Sequence, residues 1–164
     1  MIDAVLIREI SADEFSRAWP IFRQVVASGD TYSYPPDLDM EQARAMWTTP
    51  PSRCFIAERN GEILGLYMLR PNQPGLGDHV ANAGYMVSPQ ARGQGIASIM
   101  CEHSLDEARR SGFQAMQFNF VVSTNEGAVR LWQRHGFEIV GRIPGAFRHA
   151  AYGHTDVYVM HRML

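Results

Sequence analysis

The apolar side chains of this chain recur with two different periods, and the switches between them mark out its elements. Asp3 to Ile10 (DAVLIREI) alternates and then runs apolar, as a half-buried first strand does. Phe15, Ala18, Trp19, Phe22, Val25 and Val26 then follow at helical spacing, with Ser11 and Glu14 placed as a capping box ahead of them. Pro20 lies inside that pattern and is expected to kink the helix or restart it. After the loop GDTYSYPPD, Asp39 opens a second short helix over MEQARAMW. Two β-rich runs flank Asn60-Gly61 and predict a tight hairpin.

Beyond a Pro/Gly loop from Pro71 to Gly77, HVANAGYMV reads as a strand that stops at Ser88-Pro89. Ala97, Met100, Cys101, Ser104, Leu105 and Ala108 form one small-to-apolar helical stripe, which Gly112 is placed to end. QAMQFNFVV predicts a buried strand. Ser123 and Glu126 have capping-box spacing and open a helix with Ala128, Leu131, Trp132 and His135 on one face, closed by Gly136. FEIVGRI and TDVYVMHRM alternate as final strands. The order β-α-α-β-β-β-α-β-α-β-β is a mixed α/β fold, with the fourth and fifth strands joined through a helix and therefore parallel.

Composition narrows the class. At 164 residues, 46% hydrophobic and 20% charged, one globular domain spanning 1–164 accounts for the chain. A net charge of −2 with no basic stripe argues against nucleic acid as a partner. The N-terminal segment becomes charged at Arg8, unlike a signal peptide or a membrane span, so a cytoplasmic protein without a membrane partner is expected. Cys54 and Cys101 lack metal-ligand spacing and are expected to be reduced, partly buried thiols, with no metal site.

The segment VSPQARGQGIASIM, Val87 to Met100, carries the chemistry. A strand end, a glycine-rich turn and a helix start leave backbone N–H groups free at the positive end of a helix dipole, which favours a phosphate-type anion. Gly93 and Gly95 keep side chains away from those amides, and Arg92 adds a charged fork of donors. A Walker loop requires GK[ST] after a four-residue gap, and GQGIAS has neither. A dinucleotide fingerprint requires a third glycine where Ser98 stands and an acid about 20 residues later, near Phe113 and Gln114, where there is none.

Arg92-Gly93-Gln94-Gly95-Ile96-Ala97 instead resembles R/Q-x-x-G-x-G/A, the pyrophosphate loop of the GNAT superfamily of acetyl-CoA-dependent N-acetyltransferases. Asn125 to Phe137 (NEGAVRLWQRHGF) is similar to that superfamily's N-x-x-A-x-x-L-Y-x-x-x-G-F segment, and YMVSP to the end of its fourth strand. The resemblance implies a central mixed sheet splayed between strands 4 and 5, with about four helices. It implies acetyl-CoA as cosubstrate, its arm lying along the backbone of Met86, Val87 and Ser88. Backbone N–H groups from Gly93 through Ser98 would hold the pyrophosphate. Asn125 would bond the arm unless it serves the helix start, and Ala128 would be small beneath the cofactor.

Trp132 stands where the superfamily most often has tyrosine. An indole N–H donates a hydrogen bond but does not titrate, so Trp132 cannot protonate the departing thiolate. It either contacts the cofactor or packs as a core aromatic. Tyr85, nearest the expected thioester, is the catalytic candidate, to orient or relay a proton, with Asp78 and His79 beside it. The acceptor pocket of this fold is built from the loop between the first two helices and the turn between the last two strands. Here these offer Asp30, Tyr32 and Tyr34, then Phe147, Arg148, His149, Tyr152 and His154. Aromatic and polar groups together suit a small-molecule amine, and Arg148 suits a carboxylate on it. The implied reaction is direct attack by a primary amine in a ternary complex, with strand amides stabilising the oxyanion. Acetylation of a protein or peptide, and a non-catalytic acyl-CoA-binding module, are the alternatives; a homodimer is left open.

Overall fold

A computed structural model of the chain describes residues 3–164. Seven strands form one sheet in the order β1-β2-β3-β4-β5-β7-β6. β1 (Leu6–Ile10), β2 (Arg53–Arg59), β3 (Glu62–Pro71) and β4 (Val80–Val87) are successively antiparallel. β5 (Ala115–Val122) runs parallel to β4 and antiparallel to β7 (Gly153–Met163), which pairs with the edge strand β6 (Glu138–His149). The observed order of strands and longer helices is the expected one, and β4 and β5 are parallel.

Helices cover both faces. α1 (Phe15–Ser28) and α2 (Met40–Thr48) bury Phe15, Phe22, Val26 and Trp47 against Ile56, Leu66, Met68 and Met86. α3 (Ile96–Arg110) and α4 (Glu126–Arg134) bury Met100, Cys101, Leu105 and Trp132 against Tyr67, Leu69, Ala83 and Phe118 on the opposite face. Cys54 and Cys101 belong to these two separate cores, and burial pushes both thiols up to about 12, so both are inert thiols.

Local chemistry explains where elements begin. Asp39 caps α2 in a capping box with Gln42, and Asn60 and Gly61 turn the β2–β3 hairpin with φ of 52° and 79°. The two expected capping boxes do not form. Glu14 gives its carboxylate to Arg8 at 2.8 Å instead of to Ser11, and Asn125, not Ser123, is the N-cap of α4, while the Ser123 N–H donates to the Asp156 carbonyl. α1 runs through Pro20 without restarting, because a short 3-10 turn at Ala12–Glu14 leads into it and apolar contacts hold both halves to one core.

The feature that positions the site is a fork. β4 and β5 pair only at Val80–Ala115 and Ala81–Met116, then separate. One extra residue in β5, between Phe118 and Val121, bends that strand and turns Asn119 and Phe120 outward. The Asn82 side chain bridges the parting strands by donating to the Gln117 carbonyl at 3.0 Å, where the next ladder bond would stand.

Candidate active site

The fork opens into a cleft of about 690 Å³ that crosses the sheet from one helical layer to the other. Its walls are β4 from Asn82 to Val87 and β5 from Phe118 to Val122. The β3–β4 ladder is anchored by Ser88 N–H to the Leu64 carbonyl (2.8 Å) and Asn72 N–H to the Val80 carbonyl (2.7 Å). Alternation therefore turns the main-chain groups of Asn82, Gly84 and Met86 toward β3, and those of Ala83, Tyr85 and Val87 toward the cleft. Of the positions expected to meet a pantetheine arm, Val87 presents its backbone to the cleft. Met86 and Ser88 spend theirs on β3, and Tyr85 takes their place.

On the α3–α4 side, Arg92, Gly93 and Ala97 line the cleft together with Asn125, Gly127, Ala128, Leu131 and Trp132. Gly93 and Gly95 have φ of 77° and 78°, a conformation that a side chain disfavours, and open space lies beside both. Gly95 begins α3 without a side-chain cap, so the N–H groups of Ile96, Ala97 and Ser98 keep no intrahelical partner. Ile96 points its own side chain into the core, Ser98 Oγ meets His135 Nε2 at 2.8 Å, and the Gln94 side chain turns to Gln90 and Arg59. Asn125 precedes α4 with no cap bond from its carboxamide, which leaves that group free toward the cleft. These features fit a pyrophosphate and an amide-bearing arm: unspent donors, absent side chains and an unpaired strand edge.

Tyr85 lines this cleft, but its hydroxyl lies inside the core, 2.6 Å from Ser104 Oγ. Its ring packs on Trp132 at 4.8 Å between centroids and meets Phe118 at 5.8 Å. Burial holds its phenol well above 10, so the hydroxyl stays protonated near neutrality. Trp132 is 8% exposed, a wall of the cleft and a core aromatic at once. Asp78 and His79 precede β4 on the exposed surface and do not line the cleft, because the strand begins one residue later.

The α1–α2 side is the end at which the sequence reading expects the acceptor. Tyr32 and Tyr34 stack at 5.4 Å and continue into Phe22 and Trp47. The Tyr32 hydroxyl donates to the Tyr85 carbonyl at 2.8 Å, and Trp47 Nε1 donates to the Tyr34 hydroxyl at 3.1 Å. Beside them Arg70, Asn82 and Asn119 line the cleft, residues that no local motif distinguishes. Arg70 has no ion-pair or hydrogen-bond partner among the described residues, and Asp30 is the one carboxylate on the lining. Arg148 and His149 do not line it. β6 and β7 run to a tight turn at Ala150–Tyr152, longer than the sequence pattern implies, and carry both residues to the hairpin end. There His149 Nδ1 accepts the Ala151 and Tyr152 N–H groups. The hairpin tip still reaches the α1–α2 side, since Ala150 N–H donates to the Gly29 carbonyl at 3.0 Å.

The model of the acetyltransferase (GNAT) family matches residues 7–137. The N-acetyltransferase aca1 of Schizosaccharomyces pombe is 38% identical over 98 residues, 59% of this chain and 47% of that protein. The chain spans less than half the length of the curated relatives it matches. Among solved structures, a GCN5-related N-acetyltransferase from Kribbella flavida is 44% identical with a TM-score of 0.93, covering 98% of both chains. A phosphinothricin acetyltransferase from Sinorhizobium meliloti, solved with acetyl-CoA, shares the fold at 20% identity and a TM-score of 0.83, over 98% of this chain and 88% of that one. The family match covers the fork, the glycine loop and α4 together, and the chain belongs to the GNAT family of acetyltransferases.

Proposed function

We propose that this chain transfers the acetyl group of acetyl-CoA to the primary amine of a small molecule that carries a carboxylate. The observation that supports a small acceptor is the Ala150–Gly29 hydrogen bond. It ties the β6–β7 hairpin to the loop after α1, across the end where a peptide groove would have to run. What supports the carboxylate is Arg70, a guanidinium on the lining with no anion of its own, set among Asn82, Asn119 and two tyrosines.

Acetyl-CoA supplies the activated thioester: the amine nitrogen bonds to the carbonyl carbon, the C–S bond breaks, the thiolate leaves, and the proton shed by the nitrogen passes to water. The chain's own contribution is position and charge. Gly93 to Ser98 offer amides and Arg92 a cation to the pyrophosphate, while Ala83, Tyr85 and Val87 offer strand N–H groups to an arm or to a developing oxyanion. Tyr85 and Trp132 act as packed walls, not as acids, so the thiolate departs without a titrating side chain beside it. An ordinary thiol pKa of about 8.5 makes that a workable leaving group.

The test is free-thiol release from acetyl-CoA with a panel of amino acids, their amides and esters, and short peptides. Free amino acids should react fastest, and Arg70→Met should abolish the preference for acid over amide. Faster turnover of peptides would overturn the small-molecule reading. Acetyl-CoA binding with no thiol release from any amine would favour a binding module instead.

A further inference from the structure

Arg59 ends β2 at the hairpin turn, at the same end of the sheet as the glycine loop. Its Nη1 donates to Gln94 Oε1 at 3.1 Å, and Gln94 sits between the two glycines of that loop. Gln94 Nε2 in turn reaches the Gln90 carbonyl at 3.4 Å, which holds the amide, and the guanidinium it carries, against the loop. Arg59 Nε is buried, and among the described residues it has no hydrogen-bond partner. No carboxylate of the described residues pairs with Arg59. Glu62 faces it in register without bonding it, while its neighbour Glu58 is taken by Arg8. A buried donor without an acceptor is uncommon in a folded chain and asks for a partner. Of the five N–H donors of a guanidinium, one is used here.

The cofactor that the glycine loop would hold is rich in anions. Coenzyme A carries a pyrophosphate and a phosphate monoester, the latter alone worth about −1.5 to −2 charges at neutral pH. Along the cleft, the glycine loop sets a single cation, Arg92, against them.

We propose that Arg59 is a second phosphate-binding cation of the cofactor site, carried to the nucleotide phosphates by Gln94. The inference rests on the acetyl-CoA reading, and wild-type titration with CoA tests that reading by itself. Arg59→Gln and Arg59→Lys are then titrated calorimetrically with CoA and with dephospho-CoA, and their KM is measured for acetyl-CoA and for S-acetylpantetheine, which has no phosphate. Arg59→Gln should weaken CoA binding about tenfold, as loss of one charge-assisted hydrogen bond does, and Arg59→Lys should lose less. A loss confined to CoA assigns the contact to the 3′-phosphate; an equal loss with dephospho-CoA assigns it to the pyrophosphate. Either supports the proposal. CoA affinity of Arg59→Gln within twofold of wild type would overturn it. So would a rise in KM for S-acetylpantetheine as large as that for acetyl-CoA, because Arg59 would then only stiffen the hairpin.

Discussion

The Tyr32 hydroxyl is a small group in a decisive place, and Tyr32→Phe isolates it. Gly84 makes its position available: a Cβ there would stand 3.0 Å from the hydroxyl oxygen. Phenylalanine keeps the stack on Tyr34 at 5.4 Å and removes one O–H. The Tyr85 carbonyl, which β5 no longer reaches at this point of the fork, is then left without its partner. A hydrogen bond of this kind contributes about 1 kcal/mol net, and a stranded buried acceptor costs about 1–3 kcal/mol. The cleft admits water to that edge, so a loss of about 1–1.5 kcal/mol is expected, which for a chain of this size lowers Tm by about 3–5 °C. The same carbonyl belongs to the strand edge proposed to meet the thioester, so kcat should fall about tenfold, equivalent to about 1.4 kcal/mol of positioning. Calorimetric melting and steady-state thiol release measure the two effects. Tyr34→Phe is the control, because that hydroxyl accepts from Trp47 and touches no strand-edge group: it should lose stability with little loss of kcat. If Tyr32→Phe melts within about 1 °C of wild type and keeps kcat within twofold, the hydroxyl is not holding β4 open.

Three further outcomes follow from the same geometry. Gly95→Asp places a strained left-handed residue and an anion at the start of α3, and acetyl-CoA binding should fall below detection by calorimetry; retained affinity would refute the phosphate cradle. Trp132→Tyr should keep acetyl-CoA affinity within about threefold while losing about 1–3 kcal/mol in urea denaturation, as a core aromatic that shrinks does; complete loss of binding would show that the indole shapes the cofactor side of the cleft. Burial lowers the His103 pKa where Nδ1 meets the Tyr67 hydroxyl at 2.7 Å, so the unfolded chain binds that proton more readily than the folded one. Its contribution is complete above the unfolded value of about 6.5 and is lost as pH falls below it, so His103→Gln should flatten the decline of the urea midpoint on the acid side of about pH 6.5. An unchanged slope would refute that assignment.

What could be read from the sequence is what backbone chemistry dictates over a few residues. Asn60-Gly61 predicts its hairpin because both residues adopt positive φ at little cost, and Gly93 and Gly95 do the same for the turn into α3. The α1–α2 end of the cleft was not legible, since Arg70, Asn82 and Asn119 come from three strands and share no spacing. An expectation placed on Arg148 and His149 counted loop residues and missed that β6 continues through Pro144 and Gly145 by means of a register shift. Gly127 carried a signal that went unused: a glycine in the first turn of a helix, with nothing within 4 Å of its missing Cβ, marks a surface left bare on the cleft side. Capping boxes misled twice because Glu14 and Ser123 found stronger or nearer partners in Arg8 and Asp156, contacts distant in sequence.

The fork explains why the two halves of the cleft differ so much in legibility. On the side proposed for the cofactor the available groups are main-chain donors: the free N–H groups that open α3, and the outward edge of Ala83, Tyr85 and Val87. Main-chain donors constrain sequence only by requiring glycine, or a strand without a partner, and so leave a short motif that survives wide changes around it. On the side proposed for the acceptor the available groups are side chains, and these are delivered by features with no local signature. One extra residue in β5 turns Asn119 into the opening, and the Asn82 carboxamide stands in for a missing ladder bond to Gln117. Removing that carboxamide with Asn82→Ala should therefore act on the acceptor first, since the glycine loop and α4 do not depend on it. The KM for the amine should rise severalfold while the Kd for acetyl-CoA stays within about twofold. If instead both constants shift together, Asn82 would be holding the whole fork, and the separation between the two halves would be wrong.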